Sequence, residues 1–304
     1  MKYFFLMCLV IFTLLCCERA VLIEPAGITI DMEDDTVVFA QIGDFGDAGL
    51  AELRVSQLVK SWNPDFIISV GDNNYNHGEF SSIKSNISNY YGDYIYNFDA
   101  PVEYGCYGKA FEDKINRFFP TPGNHDADNK DGLVPYYNYF TLPGNEKYYK
   151  FTWGPLAIFS INTVENNLDE QRIWLENELL LSDKPFNIVF LHHPPYSSGP
   201  HGDSEFIQWD FEGVDVVFAG HDHVYERIRK LDTATPVYIV NGLGGRALNE
   251  CINPHDPSLF SSYCYGSDYG AVKGIITSNS LQIDFYSAGS PEISIDGFTI
   301  VQGE

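Results

Sequence analysis

The chain has 304 residues, 44% of them hydrophobic and 15% aromatic, which is enough to bury a sizeable core and too apolar for a disordered chain. With 18 Lys and Arg against 42 Asp and Glu, the formal net charge is −24. A field of that sign argues against nonspecific nucleic-acid binding and against docking on anionic membranes. An anionic substrate would have to be attracted locally, and bound metal cations would do that.

Residues 1–20 open with Lys2, continue as an apolar run from Tyr3 to Leu15 and end in Cys16, Cys17 and Ala20. That is the shape of a secretory signal peptide, with a protein of the exterior or of a lysosomal or vacuolar lumen as its consequence. An uncleaved anchor, or a lipidated Cys16 or Cys17, is the rival reading. No later stretch is long and apolar enough to span a membrane. Beyond the leader, residues 21–304 show no repeat, low-complexity tract or linker, so one catalytic domain is expected. A monomer is the expected state. Three cysteines remain there, Cys106, Cys251 and Cys264. Cys251 and Cys264 are the expected pair, closing a Pro/Ser-rich loop and leaving one thiol over. Asn86-Ile87-Ser88 reads as an N-glycosylation acceptor and equally as a plain loop.

In chain order, the β-branched run 37–42 stops at Gly43-Asp44-Phe45-Gly46-Asp47. Leu53, Val55, Leu58 and Val59 then fit one face of a helix over 51–60. The next strand, 66–70, stops at Gly71-Asp72-Asn73-Asn74-Tyr75. A strand–helix–strand unit thus places Gly-Asp at the carboxyl end of each strand, the edge where α/β sheets bind ligands. Residues 76–118 read as an excursion over that edge, with a helix from Lys109 to Phe118. Phe119-Pro120-Thr121-Pro122 leads into Gly123-Asn124-His125-Asp126, and 128–147 reads as loop. Strands 148–151 and 155–161 form a hairpin about Trp153-Gly154.

The clearest helix pattern covers 169–181, with Ile173, Trp174, Leu175, Leu179 and Leu180 as its apolar stripe and Asn167 or Asp169 as cap. Strand 188–191 ends at His192-His193-Pro194-Pro195, and a short helix follows around 204–211. Strand 214–219 runs into Gly220-His221-Asp222-His223. Further strands are expected at 236–240, 271–277, 281–287 and 296–301. Asn241-Gly242-Leu243-Gly244-Gly245 reads as a Gly-rich turn beside the site, or as a phosphate cradle.

Each strand-end motif alone has a plain explanation, since Asp after Gly is usually a turn residue and a lone His usually a loop residue. The ordered series Gly-Asp, Gly-Asp-x-x-Tyr, Gly-Asn-His, His-x-Pro and Gly-His-x-His is another matter. It resembles the metallophosphoesterases, and within them the single-domain, tartrate-resistant type of purple acid phosphatase. The resemblance implies an α/β fold, a four-layer α-β-β-α sandwich, with two metals at the strand ends: Fe(III) and a divalent Fe, Zn or Mn. It implies Asp44, Asp72, Tyr75 and His223 on the ferric ion and Asp72, Asn124, His192 and His221 on its partner, with Asp72 bridging. The pattern His-x-Pro uses the first histidine, so His192 is preferred to His193.

Tyr75 separates this pattern from relatives that begin Asp-x-His. Here Gly46 stands where that histidine would be, and a phenolate, a hard anionic donor, suits a trivalent ion. Phosphate monoesters would be hydrolysed in acid by attack of a metal-bound hydroxide on phosphorus. His125 and His201 resemble the family's outer-sphere catalytic histidines, and Glu226 and Arg227 read as support behind the ligands or as structural residues. His77 and His255 read as surface. Two other functions stay open at this point: a phosphodiesterase or nucleotide phosphatase with a Zn or Mn centre, and a catalytically idle binding protein. No ligand position is lost, which counts against the last.

Overall fold

The protein was analysed as a computed structural model, which describes residues 23–24, 27–30, 36–97, 108–231, 236–253 and 259–302. Residues 1–20, where a signal peptide is expected, and Cys106 and His255 lie outside the described residues. The strands are β1 (Ile23–Glu24), β2 (Gly27–Ile30), β3 (Val37–Ile42), β4 (Phe66–Ser69), β5 (Phe118–Pro120), β6 (Tyr149–Trp153), β7 (Leu156–Ser160) and β8 (Phe186–Phe190). They continue as β9 (Val216–Ala219), β10 (Tyr225–Lys230), β11 (Val237–Asn241), β12 (Leu259–Tyr265), β13 (Gly270–Ile276), β14 (Ser280–Ser287) and β15 (Asp296–Val301). The helices are α1 (Leu50–Ser61), α2 (Phe80–Ile83), α3 (Asn89–Tyr91), α4 (Lys109–Asp113), α5 (Asn124–Ala127), α6 (Val134–Tyr139) and α7 (Leu168–Leu180).

These strands form two sheets, one of nine strands in the order β1-β2-β6-β7-β8-β9-β11-β10-β12 and one of six in the order β15-β14-β13-β3-β4-β5. Each contains a parallel run: β3, β4 and β5 at one end of the smaller, β7, β8, β9 and β11 inside the larger. The period of two along a strand explains the layers. Leu156, Ile158, Ile188, Phe190, Val216 and Phe218 face the other sheet, and Phe39 of β3 meets Phe218 edge-on at 6.2 Å. The alternate residues Ala157, Phe159, Val189 and Val217 point outward to a second apolar cluster that includes Leu175 of α7. On the far side α1 buries Val55, Leu58 and Val59 in the first cluster. Helix, sheet, sheet, helix is the four-layer sandwich that the resemblance implied.

Several elements differ from expectation. The helix expected over 109–118 ends at Asp113, because Lys114 turns left-handed (φ 56°) and Phe118 and Phe119 are drawn into β5 beside β4. The stripe read on α7 is only partly inward: Leu175 is buried and Trp174 and Leu179 half-buried, while Ile173 and Leu180 are exposed. Leu53 of α1 is likewise on the solvent side. Asn167 caps no backbone N–H; its Oδ1 accepts from Gln171 instead.

β1 and β2, which precede the first expected strand, went unread, as did β10 and β12. β10 begins within Tyr225-Glu226-Arg227 and β12 within the segment read as loop. Arg227 sends a bidentate bond, 2.7 and 2.8 Å, to Asp296 of β15, so it joins the two sheets rather than supporting the ligands. The expected disulfide Cys251–Cys264 is formed and ties the segment before β12 to that strand. Asn86 faces inward: its amide donates to Asn74 Oδ1 at 3.0 Å and to the Tyr75 carbonyl at 2.7 Å. That amide nitrogen is spent inside the protein, so the glycosylation reading fails on burial.

Candidate metal centre

The carboxyl ends of β3, β4, β5, β8, β9 and β11 lie along one edge, and the loops that follow carry the motifs. Asp44, Asp72 and His221 each sit in the left-handed region, with φ of 54°, 50° and 70°. A non-glycine residue there is uncommon and aims its side chain sharply off the strand line. The glycines before the motif residues serve close approach. A Cβ on Gly123 would lie 2.2 Å from Asp72 Oδ1, and one on Gly220 would lie 2.5 Å from Asp44 Oδ2.

All nine residues singled out in the sequence fall into one connected cluster. Tyr75 Oη lies 2.9 Å from Asp72 Oδ2, 3.3 Å from Asp44 Oδ1 and 3.3 Å from His223 Nε2. His223 Nε2 is 3.4 Å from Asp44 Oδ1. On the other side of Asp72, His192 Nε2 lies 3.5 Å from Oδ1 and 3.0 Å from Asn124 Oδ1. His221 and His192 rings are 5.1 Å apart, and the His221 N–H donates to Asp44. The His125 ring lies tilted by 50° against the Tyr75 ring at 4.5 Å, while its backbone N–H donates to Asp72 Oδ1 and its Nδ1 is 2.7 Å from the Asn76 carbonyl. His201 lies 4.2 Å from the His221 ring, its Nδ1 2.8 Å from Asp222 Oδ1. His77 is at the surface, paired with Asp128.

Electrostatics mark the cluster as built for cations. Burial pushes Asp44 upward, but the His223 hydrogen bond and the charges of His192, His223 and His221 leave it below the usual carboxylate range. Burial dominates at Asp72 and raises it, with the charge of Asp44 adding to the rise despite the opposing pull of His192. Tyr75 is held far above an ordinary phenol by burial and by the charges of Asp44 and Asp72. Two buried carboxylates and a phenol thus converge without a Lys or Arg bonded to them among the described residues. Positive charge supplied from outside would stabilise all three, so the donor set fits metal ions. Burial and neighbouring histidines press His221 down to about 2 and His193 to about 3, leaving both neutral, as ligands must be.

Four functional neighbours were missed or given no role in the sequence. Asp126 accepts from Gly123 N, Asn73 N and Asn73 Nδ2, pinning two ligand loops together; burial and the charge of Asp72 raise it to about 7. Asp222, between the two histidines of the last motif, is buried, accepts from Ser197 Oγ at 2.6 Å and holds His201. Arg246 lies 5.0 Å over the Tyr75 ring, gripped by Asp47 and Asn76. His193 was weighed only as a rival to His192, yet it lies in the cluster. Only its position in a motif could have flagged Asp222; nothing local flags Arg246. Glu226 does act as support, accepting from Ser198 N and Oγ at 2.7 Å each. The Gly-rich loop after β11 is a packing turn, not a phosphate cradle: Gly244 N bonds Gly43 O, and a Cβ on Gly242 would meet the Asp222 carbonyl at 2.4 Å.

Residues 37–225 match the family described as Calcineurin-like phosphoesterase. The chain belongs to that family. Purple acid phosphatases are among its sequence relatives. Purple acid phosphatase 17 of Arabidopsis thaliana is 27% identical over 303 residues, covering 87% of this chain and 83% of that protein. Purple acid phosphatase 23 of the same plant is 26% identical over 68% of this chain, but the match spans only 52% of its own length. Among solved structures, purple acid phosphatase PPD1 from yellow lupin (Lupinus luteus) seeds superposes with a TM-score of 0.70 at 18% identity, over 90% of this chain and 56% of that one. GAP50, described as the anchor in the inner membrane complex of Plasmodium, gives 0.66 at 18% identity, over 89% and 90%. At that identity the two structures speak for the phosphoesterase fold alone. Among the described residues, no helix is long and apolar enough to cross a membrane.

Proposed function

We propose that this protein is a secreted or lumenal acid phosphatase that hydrolyses phosphate monoesters at a binuclear Fe(III)–M(II) centre. The observation that carries the reading is the placement of Tyr75 Oη between Asp44, Asp72 and His223. A phenol in a cage of carboxylates is costly unless a strongly acidic cation makes it a phenolate. Asp44, Asp72, Tyr75 and His223 would hold the ferric ion; Asp72, Asn124, His192 and His221 would hold the divalent one. When bound, the metals supply Lewis acidity and a nucleophile at low pH.

The chain's own groups do the rest. Val70 O fixes His192 through Nδ1, and Asp222 fixes His201 through its Nδ1. The Asn76 carbonyl holds the His125 Nδ1–H, so Nε2 faces the departing alkoxide and gives it a proton from the imidazolium form. His201, on the far side beside His221, would bind a phosphoryl oxygen. The disulfide Cys251–Cys264 supports an oxidising compartment.

The test is a visible spectrum with metal analysis on the same sample. A broad band in mid-visible light with about two metals per chain, at least one of them iron, is expected of tyrosinate bound to Fe(III). Tyr75→Phe is expected to lose the colour and most of the iron. Colour retained in that variant would overturn the Tyr75 assignment, and a colourless wild type holding two Zn or Mn ions would overturn the ferric reading.

A further inference from the structure

We propose that His193 is a further ligand of the divalent metal, so that three imidazoles rather than two face that ion. The inference rests on the binuclear reading above and adds a residue to it. One nitrogen from each of His192, His193 and His221 lies within 4.8 Å of the other two. The His193 ring is 5.0 Å from His192 and 4.5 Å from His221. Consecutive residues of a strand point to opposite faces, but β8 ends at Phe190, so both histidines have left strand geometry and can serve one centre.

His193 is held as a ligand is held. Its Nδ1 lies 2.8 Å from Thr163 Oγ1, and its backbone N–H donates to the same oxygen at 3.3 Å. His192 is anchored in the same manner, with Nδ1 on a backbone carbonyl. Metal-bound imidazoles are oriented by an oxygen partner on the ring nitrogen that does not touch the metal. With Nδ1 so engaged, Nε2 of each ring is the donor left over. A solvated loop histidine has no need of two bonds to one buried-side hydroxyl. The ion would then meet three imidazole nitrogens together with Asn124 and Asp72. That nitrogen-rich set favours Zn(II), Fe(II) or Co(II) over Mn(II), which prefers oxygen donors.

The experiment uses the full chain with iron retained and the divalent position emptied by a chelator. Co(II) and Zn(II) are titrated by calorimetry into wild type, His192→Ala, His193→Ala and Thr163→Val, and the Co(II) ligand-field spectrum is recorded. His193→Ala is expected to weaken binding by at least the roughly 10–100-fold that loss of an orienting partner brings. Its Co(II) bands should weaken and shift while the iron–tyrosinate band stays. Thr163→Val, which keeps the imidazole, should change both readouts in the same direction by less. Should His193→Ala fail to fold, Thr163→Val carries the comparison. Affinity and Co(II) spectrum equal to wild type in both variants, with His192→Ala impaired, would overturn the role of His193 alone. Failure of wild type to take up any divalent ion would instead overturn the binuclear reading.

Discussion

His125 shows how a single side chain is committed before any substrate arrives. Its backbone N–H holds Asp72, its ring covers Tyr75 and its Nδ1 rests on Asn76. Only Nε2 is left for chemistry. If it protonates the leaving group, its value depends on how badly that group needs a proton. His125→Ala should therefore slow an alkyl phosphate by roughly 100-fold, within the usual range for general acid catalysis, and a nitrophenyl phosphate far less. Equal losses on the two esters would show that the imidazole serves binding instead. Glu52 is a second committed residue, away from the chemistry. It is buried on α1, with Oε2 accepting from Ala48 N at 2.8 Å and Oε1 without a partner among the described residues. Burial pushes its carboxyl well above 4.5, against the pull of the Ala48 and Asp47 backbone. The folded state keeps a proton that the unfolded chain releases first, so this contribution to stability is whole in acid and is lost as pH rises above about 4.5. Each pH unit of that window is worth about 1.4 kcal/mol. Glu52→Gln should flatten the decline in melting temperature between mildly acidic and neutral pH. Parallel profiles for variant and wild type would mean that Glu52 is ionised in the fold.

At the scale of elements, the site is made by where strands stop. Ile42, Ser69, Pro120, Phe190 and Ala219 end their strands along one edge, and a tight turn follows each. The Gly123 turn lies against Asp72 so closely that a methyl group there would meet both its Oδ1 and its backbone N, at 2.2 and 2.3 Å. Gly123→Ala should cost roughly 1–3 kcal/mol, as overpacking does, and lower the metal content as well. Gly49→Ala, where a Cβ would meet nothing within 4 Å, is the matched control. Metal content unchanged in Gly123→Ala would mean that Asp72 can give way without losing its place. These strand ends were legible because both signals are local: an unbroken apolar run, then a polar residue, preceded by glycine at every end but that of β8. What the sequence hid is non-local. β10 carries Glu226 and Arg227 inside the protein because Ser198 and Asp296, far along the chain, satisfy them. Nothing in Tyr225-Glu226-Arg227 announces those partners. α7 misled in the opposite way, since its leucines outnumber the positions that its sheet can cover, and Leu180 is left in water. Arg246 reaches Tyr75 only because the chain returns through β11.

For the whole molecule, the two sheets bury one continuous apolar cluster, and Arg227 with Asp296 joins them again at the side. Around that frame lies a surface whose charge is set by 42 acids against 18 bases. A phosphate ester must approach a metal centre that attracts it through a molecular field that repels it. The two effects differ in range. Attraction at the centre acts within a few ångströms, whereas repulsion from the acidic surface is felt at distances where salt screens it. Raising ionic strength from about 0.01 to about 0.15 M shortens the screening length from about 30 to about 8 Å. It should therefore remove more repulsion than attraction. kcat/KM for a dianionic monoester is expected to rise with salt, with kcat unchanged, and to rise more at neutral pH than in acid, where part of the carboxylate charge is gone. A kcat/KM that falls with salt would mean that the cations of the centre govern the field well beyond its mouth. In that case Arg246 and His201, at the rim, would be the residues to neutralise next.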